Sequence, residues 1–111
     1  MLEIKNTLLN LAQLEKLILV NISGVVECLR NKLITVEHAE KAIFSPYSID
    51  LLKNKGICTE IIDLIHMGME LEDIESLMPE KLESSIAEIK SKTKSLLEKR
   101  KEVSFEENIL K

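Results

Sequence analysis

The sequence predicts an all-α protein, a small helical bundle with two long terminal helices and several short helices between them. Glycine and proline together supply only five of 111 residues, too few for a sandwich or barrel that needs a turn about every 8–12 residues. Apolar residues recur at helical spacing in long runs, and no segment alternates with period two. Aromatic residues make up 3% of the chain, so Leu, Ile, Val and Met must form the core.

The first helix is predicted to run from Leu2 to Leu33. Its apolar residues follow steps of three and four, which places them on one face: Ile4, Leu8, Leu11, Leu14, Ile18, Ile22, Val25 and Leu29. Further apolar residues widen this stripe, as in the central helix of a bundle or one side of an oligomer contact. Gly24 interrupts the run, and we expect it to mark a close helix crossing.

Capping residues place the next helices. Thr35 is followed by an acidic turn and predicts the start of a second helix that ends near Phe44. Ser45 precedes a proline and predicts a third helix, residues 46–54. Gly56 then suits a left-handed position after that helix.

The second half of the chain contains three more predicted helices. Thr59 is expected to cap a fourth helix that Gly68 breaks or kinks, and residues 70–77 form a fifth. Pro79 opens the last long helix, in which Leu82, Ile86, Ile89, Thr93 and Leu96 repeat at helical spacing. We expect one helical domain over residues 1–100 and a flexible tail over residues 101–111.

Several features predict a cytoplasmic protein that does not enter a membrane. Charged residues near the start leave no signal-peptide core, and the longest uncharged stretch, residues 17–26, is about half the length of a membrane-spanning helix. Cys28 and Cys58 have no cysteine or histidine at ligand spacing, so we expect both to be reduced thiols.

Negative charge is concentrated in one part of the chain, which we call the acidic segment, residues 60–80. No lysine or arginine lies between Lys55 and Lys81. The carboxylates predicted to contact a partner are Glu70, Glu72, Asp73, Glu75 and Glu80. The segment is either the solvated side of short helices or a face that docks a basic protein. Its charge argues against nucleic acid, which requires a basic surface.

Residues with catalytic or metal-binding chemistry give only weak patterns. Asp63, His66 and Glu70 share a helical face and could ligate a metal, but bundle metal sites use such pairs on more than one helix. A partly buried, hydrogen-bonded His66 is the simpler expectation. Cys58 stands at a helix start, where its pKa could be lowered, yet no histidine is near in sequence to act as a base. The sequence therefore predicts no cofactor and no enzymatic activity.

One stretch of the sequence resembles a known family. It begins with Phe44-Ser45-Pro46, continues as EIIDLIHMGM and ELEDIESLMPEKL, and is most specific over residues 70–82. The resemblance is to small bacterial proteins classed as a domain of unknown function, and it covers about residues 33–88. It implies a bacterial, cytoplasmic protein and transfers no catalytic residues.

Three functional hypotheses follow. The first is a non-enzymatic interaction module that uses the acidic segment, in its most concrete form an immunity protein that covers the basic surface of a toxin; that form is an analogy of size and charge. The second is a homodimer formed through the first helix, with a structural or regulatory role. The third, a metal-dependent helical enzyme using Asp63, His66 and Glu70, is the least favoured.

Overall fold

The structure, a computed structural model, describes residues 10–105. These residues form α1 (Leu11–Arg30), α2 (Val36–Ala42), α3 (Pro46–Asn54), α4 (Thr59–Met69), α5 (Leu71–Leu77), a 3₁₀ turn (Pro79–Lys81) and α6 (Leu82–Glu98). No strand occurs within residues 10–105. The predicted all-α helical bundle is confirmed.

The two long helices α1 and α6 pack along each other in antiparallel directions. Glu15 near the start of α1 pairs with Arg100 just after α6, whereas Glu27 near the end of α1 pairs with Lys90 inside α6. This is the largest helix–helix contact in the described residues, and the shorter helices cover the rest of the core. The buried face of α1 consists of Leu17, Ile18, Leu19, Ile22, Val26 and Leu29.

Both ends of α1 differ from the sequence-based prediction. Asn10 has an extended backbone, and its side chain accepts a hydrogen bond from the Gln13 N–H at 2.8 Å, while the Gln13 side chain accepts one from the Asn10 N–H at 3.1 Å. This capping box starts the helix at Leu11. A single unbroken helix from Leu2 is therefore wrong at Asn10, and residues 1–9 lie outside the described part of the chain. At the other end, Lys32 has a left-handed φ of 59°, which stops the helix before Leu33.

Side-chain capping marks the starts of α2 and α3, but not those of α4 and α5. The hydroxyls of Thr35 and Ser45 accept hydrogen bonds from N–H groups in the first turns of α2 and α3, as predicted. The residue that precedes α4 is Cys58, which makes no side-chain capping bond, so the prediction of Thr59 as the cap is wrong. The Cys58 N–H instead donates to the Glu15 carboxylate at 2.8 Å, a contact with α1 that local sequence does not indicate.

The close approach predicted at Gly24 occurs elsewhere. Gly24 is exposed, and a Cβ added to it would have nothing within 4 Å. Gly68 is buried, and a Cβ there would overlap the ring of Phe44, which is 1% exposed. Helix α4 continues through Gly68 and ends at Met69, so the predicted break at Gly68 is wrong. The missing side chain makes room for an aromatic ring against the backbone of α4.

The segment after α6 returns to the start of α1. The Lys16 Nζ donates to the Val103 carbonyl oxygen at 2.6 Å, and the Gln13 Nε2 donates to the Ser104 carbonyl oxygen at 2.9 Å. Of the predicted tail, residues 101–105 are described and residues 106–111 lie outside the description. Among the described helices, none combines the length and apolar character needed to cross a bilayer.

Candidate functional site

The five predicted contact residues are all exposed. Glu72 and Asp73 lie in the first turn of α5, and Glu75 lines a groove at one end of the bundle. Glu70 is the residue between α4 and α5, and Glu80 lies in the 3₁₀ turn. Of these five residues, Glu72 and Asp73 are the two that lie near carboxylates of another helix.

Those further carboxylates belong to α2, which packs against α5. A hydrogen bond shared with the carboxyl of Glu72, together with partial burial and the negative charges of Glu72, Glu37 and Asp73, raises the pKa of Glu40 above its usual value. We call Glu37, Glu40, Glu72 and Asp73 the acidic face. Within the described residues, one cation pairs with it, because Lys41 Nζ lies 3.2 Å from Glu37. The acidic face is therefore a surface where like charges are held together at a cost in stability.

Replacing Glu40 by glutamine is expected to stabilise the protein at about pH 7 by roughly 0.3–0.5 kcal/mol, the usual size of a like-charge contact at the surface. A raised folded-state pKa means that protonated Glu40 favours folding at low pH, and that this contribution is lost as the pH rises through the folded pKa. The gain in the variant should therefore shrink towards zero below about pH 4. Urea unfolding at both pH values measures it.

Glu88, an exposed glutamate of α6 outside the acidic face, provides the matched control for that substitution. Glu88→Gln should leave the free energy of unfolding nearly unchanged at both pH values. A gain for Glu40→Gln that is larger in acid than at neutral pH would contradict the like-charge explanation.

The proposed metal ligands Asp63, His66 and Glu70 remain on the surface. All three are exposed, and the described residues contain no group of three histidine, cysteine or carboxylate side chains placed to hold a metal ion. The expectation of a partly buried His66 is wrong, because the ring lies on the outer side of α4. The buried side of that helix carries Ile61, Ile62, Leu64 and Ile65. His66 lies on the opposite, solvent-exposed side.

A second group of polar side chains, which the sequence did not indicate, joins three helices. Arg100 Nη2 lies 3.3 Å from Glu15 Oε1 and donates to Cys58 Sγ at 3.5 Å. The other Glu15 oxygen accepts the Cys58 N–H, and Arg100 Nη1 donates to the Leu96 carbonyl oxygen at 3.0 Å. The Arg100 and Glu15 side chains are 18% and 12% exposed. We call the two charged side chains the Glu15–Arg100 pair. Their hydrogen bonds connect α1 with the start of α4 and the end of α6.

The same surroundings determine the chemistry of Cys58. Burial is the largest cause that raises the pKa of the Cys58 thiol above its usual value, and the charge of Glu15 adds to it. The Ile61 N–H and the charge of Arg100 act in the opposite direction but do not outweigh burial. The expected lowering of this pKa at a helix start is therefore wrong, and the thiol stays protonated at neutral pH.

The broad apolar stripe of α1 is largely used inside the chain. Its central residues pack against the core formed with the other helices, and Leu11 and Val20 are the large apolar side chains of α1 that are exposed. The buried part of the stripe thus packs against the core inside the chain.

Comparison with known proteins places the chain in a family. Residues 9–111 match the family described as "Protein of unknown function (DUF3969)", a wider span than the predicted resemblance over residues 33–88. No curated protein and no solved structure matches the chain. The match covers nearly the whole sequence, and the chain belongs to this family of unknown function.

Proposed function

We propose that this chain is a non-enzymatic protein–protein interaction module that binds a basic partner protein through the acidic face. The observation that supports this most directly is the crowding of Glu40 against Glu72 by two separate helices. Each of these carboxylates repels its neighbours, so a partner that supplies lysine or arginine would relieve the repulsion on binding.

The position of the acidic face suits such a role. Glu37, Glu72 and Asp73 are exposed, so their charges lie in solvent where they can steer an approaching basic surface. The net charge of −4 for the whole chain acts in the same direction. In its most specific form the proposal is an immunity protein that covers the basic surface of a toxin. Its support is the match of charge and size to that role.

The double variant Glu72→Lys/Asp73→Lys is expected to weaken binding of the partner at least tenfold, or about 1.4 kcal/mol. It replaces two attractive charges in the acidic face by two repulsive ones. Purified wild-type and variant proteins would be immobilised and exposed to lysate of the native host. Washes at about 0.05 M and about 1 M salt would follow, and mass spectrometry would quantify each captured protein.

The matched control is Glu88→Lys/Glu102→Lys, which changes the net charge by the same amount at exposed positions outside the acidic face. A basic protein retained by the wild type and this control, released at high salt, and lost with the acidic-face variant supports the proposal. If every basic protein captured by the wild type is retained equally by the acidic-face variant, the acidic face is not the binding surface. Circular dichroism verifies that both variants are folded.

A further inference from the structure

One end of the bundle contains an open groove of about 530 Å³, which we call the end groove. It lies between the end of α1, the start of α2, and the junction of α5 with α6. Its floor is apolar and includes Leu29, Val36 and Ile86, which are 5–7% exposed. Ile34 and Leu82 lie beside them and are half-buried.

Large apolar side chains also surround this end of the molecule. Leu33 and Leu77 are 73% and 75% exposed, and Met78 is 40% exposed. Leu33 and Met78 are adjacent in sequence to the lining residues Ile34 and Pro79, and Leu77 precedes Met78. The apolar surface therefore continues from the floor onto exposed positions, as is typical of surfaces that bind another protein.

The two walls of the end groove carry opposite charges. Arg30 and Lys32 line the wall formed by the end of α1, and Glu75 and Glu83 line the wall formed by α5 and α6. Among the described residues, no ion pair joins one wall to the other, because Arg30 pairs with Glu27 of its own helix at 3.4 Å. The charged side chains of both walls can therefore form ion pairs with a bound segment.

An apolar floor between two oppositely charged walls favours a helix as the bound segment. A helix presents an apolar stripe with a polar edge on each side, so it can meet an apolar floor and two charged walls together. An extended strand points its side chains to two opposite faces, so it matches an apolar floor between two charged walls less well than a helix does. We infer that the end groove binds an amphipathic helix of a partner protein, with basic residues towards Glu75 and Glu83 and acidic residues towards Arg30 and Lys32.

The inference rests on the proposed function in one respect, namely that the occupant belongs to a partner protein. The two surfaces are adjacent along α5, because Glu72 belongs to the acidic face and Glu75, three residues later on the same side of the helix, lines the end groove. A basic edge on the bound helix would therefore lie close to the acidic face as well. The end groove adds the apolar contacts that charge alone does not provide.

The test uses a fluorescein-labelled peptide of about 18 residues, or five helical turns. The peptide carries a leucine stripe, lysines along one edge and glutamates along the other. We expect saturable binding to the full chain by fluorescence anisotropy, and at least tenfold weaker binding to the variant Glu75→Lys/Glu83→Lys. Glu88→Lys/Glu102→Lys serves again as the control of equal charge and should bind as the wild type does. A scrambled peptide of the same composition should not bind.

A second peptide with glutamates on both edges makes the test specific to the walls. It should bind Glu75→Lys/Glu83→Lys more tightly than it binds the wild type, because the altered wall then attracts the second acidic edge. Binding of the first peptide that equals binding of the scrambled one, or that is unchanged by the wall variant, overturns the inference. Light scattering that shows a wild-type dimer, lost in the wall variant, overturns it in favour of a second copy as occupant.

The two proposals can fail separately. Loss of the lysate partner with the acidic-face variant Glu72→Lys/Asp73→Lys, but not with the end-groove variant, keeps the proposed function and rejects the groove as its binding site. Peptide binding that depends on the groove walls, with no salt-sensitive basic partner in the lysate, keeps the groove and rejects the acidic-face function.

Discussion

Replacing Gly68 by alanine is expected to destabilise the protein by about 2–3 kcal/mol, which would lower the melting temperature by roughly 10 °C. The added Cβ would overlap the ring of Phe44, well inside the 3.0 Å that real Cβ atoms keep from other heavy atoms. Phe44 is fully buried, so its ring cannot move into solvent to make room. Thermal unfolding followed by circular dichroism, together with urea unfolding, measures the loss.

Gly24 provides the matched control, because it also lies inside a helix. Gly24→Ala meets open space and should stabilise the protein by about 0.5–1 kcal/mol, since alanine has the higher helix propensity. The same substitution is therefore expected to act in opposite directions at the two sites. Equal effects would show that the Phe44 contact does not limit the size of residue 68.

A double variant tests the mechanism at Gly68 directly. Phe44→Ala removes the Cγ, Cδ1 and Cε1 atoms that the new methyl group would strike, although it also removes apolar contacts. Gly68→Ala should therefore cost at least about 1 kcal/mol less in the Phe44→Ala background than in the wild type, a coupling of the size found for residues in contact. Strict additivity of the two substitutions would reject a direct steric contact.

Replacing Arg100 by methionine is expected to destabilise the protein by about 2–3 kcal/mol. The substitution keeps the apolar stem but leaves the Glu15 carboxylate, which is 12% exposed, without its opposite charge. It also removes the hydrogen bond to Cys58 Sγ, which connects the end of α6 with the start of α4, and the hydrogen bond to the Leu96 carbonyl oxygen inside α6. Urea unfolding measures the change in the free energy of unfolding.

Arg30 is the control for that prediction. It pairs with Glu27 at 3.4 Å, but its side chain is 49% exposed. Arg30→Met should cost no more than about 0.5 kcal/mol, because solvent screens the pair and hydrates the remaining carboxylate. A loss for Arg100→Met as small as that for Arg30→Met would show that the Glu15–Arg100 pair adds little to stability. The double variant Glu15→Gln/Arg100→Met should be less destabilised than the sum of the single changes.

Two of the four residues of the acidic face could be predicted from the sequence. Glu72 and Asp73 were identified because they lie in a run without lysine or arginine. Glu37 and Glu40 were interpreted only as acids near the start of a helix, since nothing local shows that α2 packs beside α5. The end groove was not predicted either, because its walls come from three separate parts of the chain.

The sequence by itself determined the all-α class and the positions of most helices. The period of apolar residues and the capping residues act over one or two turns, so they can be identified without the fold. Residues 46–54 show this well, because Ser45, Pro46 and Gly56 mark both ends of α3 as predicted. The capping box at Asn10 and Gln13 was equally local and could have located the start of α1.

Only the tertiary structure decided which distant residues share a surface or a contact. Gly68 approaches Phe44, and Glu15 pairs with Arg100 across 85 positions of sequence. The same packing raises the pKa of Cys58 and brings Glu40 against Glu72. Helical spacing states which side chains share a face of one helix, but not which face of another helix will cover them. That choice depends on how all the apolar faces are buried together in one core.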